Sequence, residues 1–160
     1  MPCATYVRKA EVDLYLRSAR FDTNTLADAK TRLIWEIVNE GAPGRDLHGR
    51  DFSNAILSGG NLSGANLTNA VFNLSFLNET DLSDADLTDA RMLKVDLTEA
   101  DLSGVNLTRA DLSQAILTSA RLGGANLTRA NLRGADTTNT DFTGAVFNQT
   151  IMPDGRIKSD

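Results

Sequence analysis

Few side chains in this sequence could act as catalysts or as metal ligands. His48 is the only histidine and Cys3 the only cysteine among 160 residues. A single cysteine cannot form a disulfide framework or a paired-cysteine metal site. No sequence motif brings a nucleophile and an orienting acid to His48, as acid–base catalysis would require. Phosphate-binding and dinucleotide-binding glycine motifs are also missing. We therefore predict a protein without catalytic residues, cofactor or metal.

Carboxylates are the one chemically active group that is concentrated in the sequence. Eight of them fall within 23 residues: Glu79, Asp81, Asp84, Asp86, Asp89, Asp96, Glu99 and Asp101. Their spacing does not match a calcium-binding loop. They could instead form an acidic surface, but Arg91 and Lys94 interrupt the run. We predict a solvated face on which later arginines, such as Arg109, stack next to acids such as Asp89.

These residues lie within a repeat of five. From Leu47 to Met152 every fifth residue is Leu, Phe or Met, with Thr137 as the exception. These 22 pentads contain no insertion. The residue two before each central position is Ala in 13 pentads, and the residue directly before it is Asp or Asn in 14. Ser or Thr follows the central position in 14 pentads. Such a repeat must be interpreted before any other feature.

A period of five fits neither an α-helix nor a flat strand. Residues five apart rotate by about 140° on a helix and alternate faces on a strand. The pattern is consistent only if the chain turns once per pentad, so that Ala85 and Leu87 face inward, Asp86 faces outward and the next two residues form a corner. Ser, Thr, Asp and Asn suit such corners. Matches twenty residues apart, such as Phe52 with Phe72, predict four pentads per coil.

The A-(D/N)-L-X-X pattern over residues 45–154 resembles the pentapeptide-repeat family. This resemblance implies an all-β fold, a right-handed quadrilateral parallel β-helix whose coils are joined by backbone hydrogen bonds. An adjacent helical segment is similar to that of cyanobacterial members. Some family members resemble DNA and bind DNA gyrase, which implies an alternative function as a DNA mimic.

Composition restricts the partners and the location. The net charge is −5 and the pI about 4.8, which argues against direct binding to nucleic acid or to an anionic membrane. Charged residues interrupt the first 20 positions, so these residues do not have the apolar core of a signal peptide. We therefore expect a cytoplasmic protein.

Two helices are predicted before the repeat. Residues 4–18 place Val7, Ala10 and Leu14 on one stripe, and a second helix spans about residues 26–39. We expect the second helix to cap the open end of the coil. The predicted domains are a helical cap over residues 1–44, the β-helix over 45–154 and a tail over 155–160. We expect Phe142 and Phe147 to plug the far end and the tail to fray.

Outward positions that break the rule are the best candidates for a functional surface. Five of them form a predicted apolar patch near one edge: Ile56, Val71, Leu74, Phe76 and Leu93. Exposed apolar patches often mark interfaces. Three alternatives remain: the predicted helix 4–18 covers this patch, the patch contacts a second copy or another protein, or its residues are exposed without function.

The sequence thus predicts a non-enzymatic scaffold for protein interaction, with an unidentified protein partner and a homodimer as one option. The alternative is a DNA mimic that binds a type II topoisomerase.

Overall fold

The computed structural model describes residues 29–159. It contains helix α1 (Ala29–Glu40) and two short strands, β1 (Thr150–Ile151) and β2 (Ile157–Lys158), which pair antiparallel. The predicted second helix is confirmed from Ala29 onward and ends one residue later than expected. The predicted helix at 4–18 lies outside the described residues. Within residues 29–159, no helix is long and apolar enough to cross a bilayer.

The chain between α1 and β1 is a continuous parallel coil. Each bridge joins residues twenty apart, from Asp46 with Asn66 to Asn131 with Ile151, so four pentads complete one turn of the coil. We number its faces by the outward residues that these bridges connect. Face 1 holds 46, 66, 86, 106, 126 and 146; face 2 holds 51, 71, 91, 111, 131 and 151; face 3 holds 56, 76, 96, 116 and 136; face 4 holds 61, 81, 101, 121 and 141.

Every pentad uses its backbone in the same way. In the pentad that begins at Asp86, the Asp86 N–H donates to Ala65 O in the preceding coil, at 3.0 Å. The N–H groups of Leu87 and Asp89 donate to carbonyls of the following coil. Ala90 N–H then closes a β-turn onto Leu87 O at 3.0 Å, with Asp89 in the left-handed region at φ 58°. Nearly all backbone groups are thus paired between coils or within corners.

The core consists of the central residues and the small residues two positions before them. Leu57, Leu77, Leu97 and Leu117 are fully buried one above the other behind face 3. Behind face 2, the rings of Phe52 and Phe72 stack at 5.1 Å. Where Thr replaces Ala, its hydroxyl donates to a backbone carbonyl, as Thr80 Oγ1 does to Leu57 O at 2.9 Å. This bond satisfies a polar group that would otherwise destabilise the core.

Helix α1 lies against the first coil. Ile37 is fully buried in the core cluster, and Leu33, Ile34 and Val38 pack against it. Gly60 occupies an inward position usually held by Ala, and a Cβ there would lie 3.3 Å from Ile37 Cγ2. The coil's hydrogen-bond pattern already begins at Ala42, whose N–H donates to Asn61 O. The ordered repeat therefore starts with Ala42. Our prediction placed its start one pentad later, in the pentad of Leu47.

The far end differs from our expectation of a frayed tail. After a turn at Met152–Gly155, β2 pairs with β1, and Lys158 Nζ lies 3.9 Å from the centre of the Phe147 ring. The rings of Phe142 and Phe147 are in contact at 5.6 Å, as expected for a plug. The expectation of fraying is thus wrong for residues 157 and 158, because backbone pairing and the cation–π contact hold them.

Candidate functional site: an apolar patch on the coil

Outward Asp and Asn residues build the corners of the coil. In the triplet Asp141-Phe142-Thr143, Asp141 Oδ1 accepts bonds from the Thr143 backbone N–H at 2.9 Å and from its hydroxyl at 2.6 Å. The hydroxyl bond and then the backbone bond hold the pKa of Asp141 below its usual value. Asn126 Oδ1 accepts the same backbone bond from Thr128. The frequent Asp/Asn and Ser/Thr positions are therefore structural, so departures from them carry the functional information.

The largest departure lies on face 3 and on the corner between faces 2 and 3. Ile56 and Phe76 are bridged to each other on face 3 and are 38% and 42% exposed. Leu74 sits at the corner before Phe76 and is 50% exposed. Side chains of this size are rarely placed in solvent together without a reason. The structure thus brings three of the five predicted patch residues to one exposed surface.

Leu74 provides an independent argument for this surface. Its φ is 60°, in the left-handed region that suits Gly and Asn. Among the fourteen non-glycine residues of the described chain with positive φ, it is the one apolar residue. Neither backbone preference nor burial favours Leu at this position. An apolar side chain is therefore tolerated here against local preference, as is typical of functional positions.

The remaining two predicted members differ in exposure. Val71 on face 2 and Leu93 at the next coil's corner are half-buried and form the edge of the patch. Sequence reasoning left out Ile116, which is 42% exposed on face 3 and separated from Phe76 by Asp96. The signal that could have assigned Ile116 to the patch was its spacing of forty residues from Phe76, which places both residues on one face. We use the name apolar patch for Ile56, Val71, Leu74, Phe76, Leu93 and Ile116.

The eight predicted acids do not share one surface. Asp86 lies on face 1, Asp96 on face 3, and Asp81 with Asp101 on face 4. The others occupy corners between these faces: Glu79, Asp84, Asp89 and Glu99. Since one coil takes twenty residues, acids that are close in sequence surround the coil as a belt. The belt spans 23 residues, a little more than one coil, so it is roughly 5 Å high at strand spacing.

Arginines end this belt along the coil axis. Arg109 forms two hydrogen bonds to Asp89, as predicted from their spacing. These bonds lower the pKa of Asp89. On face 4, Arg121 pairs with Asp101. Burial raises the pKa of Asp101, but bonds from Ser103 and the charge of Arg121 outweigh it and leave a lowered value.

His48 and the carboxylates are the side chains that catalysis or metal binding would use. His48 Nδ1 lies 2.6 Å from Thr68 Oγ1 on an exposed corner, as the twenty-residue spacing predicts. Within residues 29–159, no three His, Cys, Asp or Glu side chains are grouped to hold a metal ion. This arrangement can supply hydrogen bonds and surface contacts.

Comparison with known proteins agrees with the geometry. The family model described as pentapeptide repeats matches eight copies, over residues 46–84, 75–104, 96–134 and 125–154. A pentapeptide repeat protein from the cyanobacterium Cyanothece 51142 is 28% identical with a TM-score of 0.69, over 73% of this chain and 94% of that one. One from the Arabidopsis thaliana thylakoid lumen is 32% identical with a TM-score of 0.50, over 71% and 72%. No curated protein matches this chain.

The repeat thus has the same pentad structure in the sequence, in the hydrogen bonds and in the family match. No catalytic family is indicated. This chain belongs to the pentapeptide repeat family.

Proposed function

We propose that this protein is a non-enzymatic scaffold that binds a protein partner through the apolar patch. The observation that carries the proposal is the exposed pair Ile56 and Phe76, with Leu74 next to them in an unfavourable backbone conformation. Neighbouring outward positions hold Asp or Asn with the same backbone bonding, as Asp51, Asn61 and Asp96 do. Large apolar side chains at these positions gain their free energy only when another surface covers them.

The dimensions of the patch restrict what can bind there. Its residues lie on four successive coils and on two adjoining faces. A standard interface between folded proteins uses about 20–30 residues a side. The apolar patch is smaller, and it fits a short amphipathic segment that inserts a few apolar side chains.

Substitution of single patch residues tests this function. We expect Phe76→Asp and Leu74→Asp to abolish binding of a co-purifying protein, while Val146→Asp on face 1 retains it. Val146 is a matched control because it is 51% exposed and lies outside the patch. The captured protein should then bind the purified wild-type chain in calorimetry and fail to bind Phe76→Asp. Equal binding by all variants would overturn the proposal.

Mimicry of DNA has less support. Duplex DNA presents one charge per roughly 1.7 Å along its axis, whereas the acidic belt surrounds the coil and ends at Arg109 and Arg121. A DNA-mimic function requires inhibition or protection of gyrase supercoiling at micromolar protein. We expect no effect in that assay.

The proposal also includes the architecture of the scaffold and its cap. We propose a right-handed coil of square cross-section over residues 45–154, with residues 1–44 as cap and 155–160 as tail, in the cytoplasm. Support for the cap comes from Ile37, which is buried against the first coil. If α1 is a cap, Ile37→Asp should expose the coil end and produce larger species in light scattering. A monodisperse variant would contradict the cap.

A further inference from the structure

We propose that residues 4–18 of this same chain dock as an amphipathic helix on the apolar patch and compete there with the partner. This inference deepens the proposed function, because both use the same surface. Four observations support it: where the described chain begins, how far the preceding residues reach, which side chains they carry and how small the patch is.

The described chain begins next to the patch. Lys30 Nζ donates to Ser53 O at 2.9 Å and lies 3.7 Å from Asp51 Oδ1. Ser53 precedes Asn54, which occupies the corner one coil before Leu74. The residues before Ala29 therefore join the structure at the corner between faces 2 and 3, where the patch lies.

The preceding residues are long enough to cross the patch. Fifteen helical residues, 4–18, would span about 22 Å. From Ile56 to Ile116 there are three steps between coils, or about 14 Å at strand spacing. Ten residues, 19–28, remain as a connection to α1, which is ample for a reversal of direction.

Side chains of residues 4–18 complement the patch. Val7, Ala10 and Leu14 follow the three- and four-residue spacing of one helix face. Charged residues border and interrupt the patch: Glu79 lies at the corner after Phe76, Asp96 lies between Phe76 and Ile116, and Lys94 occupies the corner one coil after Leu74. None of these three forms an ion pair among the described residues, so Arg8, Arg17 and the acids of 4–18 would find opposite charges there.

A tethered helix fits better than a second copy of the chain. Six patch residues are few for a stable dimer, whereas one helix needs only a few apolar contacts. The ten-residue connection also raises the local concentration of the helix to the millimolar range. A weak contact therefore suffices for intramolecular docking, and a partner must displace it.

The single cysteine allows a direct test in the full chain. A nitroxide attached to Cys3 would lie at the end of the docked helix that is distant from α1. We expect it to broaden the NMR signals of Leu93 and Ile116 and to leave Val146, on the opposite face, sharp. Leu14→Asp should remove the broadening without lowering the melting temperature of the coil. Equal relaxation at Ile116 and Val146 would overturn the proposal.

Hydrogen exchange supplies a second measurement. Amides of residues 4–18 should be protected in the wild type and become unprotected in Phe76→Asp, while the amides of Leu97 and Leu117 remain protected. Unchanged protection in Phe76→Asp contradicts docking on the patch. Loss of protection throughout the coil would mean that Phe76→Asp unfolds. The comparison of Leu14→Asp with the wild type then decides whether residues 4–18 dock.

The two proposals fail in different ways. If residues 4–18 are not docked but a partner still binds in a Phe76-dependent manner, self-docking is wrong and the scaffold function stands. If residues 4–18 dock but no partner competes with them, the patch is an internal contact and the scaffold function is wrong. Partner affinity should increase at least several-fold in Leu14→Asp if both are correct.

Discussion

Faces 1 and 3 have the same backbone hydrogen-bond pattern but carry different outward side chains. On face 1, polar side chains bond from coil to coil, as Asn66 Nδ2 does to Asp46 Oδ1 at 3.0 Å. Face 3 carries Ile56, Phe76 and Ile116 at equivalent positions, yet the inter-coil backbone bonds at Phe76 and Ile116 measure 2.8–2.9 Å, close to the 2.8 and 3.0 Å of Leu67 and Asn66 on face 1. The inter-coil backbone bonds therefore do not depend on the outward side chain.

This comparison shows where stability and function lie. Inward residues hold the coils together, and outward residues adjust corners by small amounts. A protein of this kind can therefore change its surface chemistry with little loss of stability, which makes departures from the repeat informative. Substitutions at inward and outward positions of the same face test this division.

Leu97→Ala should have the largest effect. Leu97 is fully buried between Leu77 and Leu117, and the coils above and below cannot collapse into the cavity. We expect a loss of about 2–5 kcal/mol in the free energy of unfolding. Denaturant titration followed by circular dichroism would measure it.

Asp96→Ala, one residue earlier, should cost less. It removes an acceptor for the Thr98 backbone N–H at 3.0 Å and for its hydroxyl at 2.7 Å. Both bonds are only partly buried, so water can replace the carboxylate, and we expect a loss of about 1 kcal/mol in the same titration. Losses equal to those of Leu97→Ala would contradict the inward and outward assignment.

Ile116→Asn should give face 3 a polar side-chain bond from coil to coil, like those on the other faces. The new amide could accept from the Thr118 backbone N–H and donate to Asp96, as Asn131 Nδ2 donates to Asp111 Oδ1 at 3.0 Å. We expect a gain of about 0.5 kcal/mol in unfolding free energy. Ile116→Asp is the control and should be less stable, because it would stack with Asp96 and Asp136. A large loss in Ile116→Asn would show that Ile116 is covered.

Acid should weaken the corners, and this is the smallest effect. The pKa of Asp141 is lowered by its bonds from Thr143, so the folded state favours the carboxylate. This stabilisation is present above the unfolded pKa of about 3.9 and is lost as pH falls through the lower folded pKa. The melting temperature should therefore fall less between pH 5 and 2 in Asp141→Asn than in the wild type. At pH 7 the two should melt alike, and identical acid profiles would contradict this role.

Most of the architecture could be predicted because its cause is local and repeated. Spacing alone predicts that Leu87 points inward and Asp86 outward. It also predicts that each residue has the residue twenty positions away as its neighbour on the next coil. The start at Ala42 was not predicted, since Gly41 and Pro43 around it do not resemble a pentad. Pairing of Ile157 was not predicted either, because it depends on the return of the chain after a single turn.

The surface was predicted less completely because position on the coil, not proximity in sequence, decides which residues meet. Ile116 is forty residues from Phe76 but only two coils away, so a local reading separated them. The acids from Glu79 to Asp101 are close in sequence and yet lie on three different faces and on the corners between them. Which partner covers the patch depends on surfaces outside this chain, and the sequence does not contain that information.

The bridges between residues twenty apart also determine how this chain could change in length. Deleting twenty residues from the middle would remove one coil and keep every later residue on its face. Deleting five would move all later residues by one face, so that face 3 residues after the deletion would continue face 2 residues before it. Lineages of such chains should therefore gain and lose whole coils, and the surface chemistry of each face is inherited as a column.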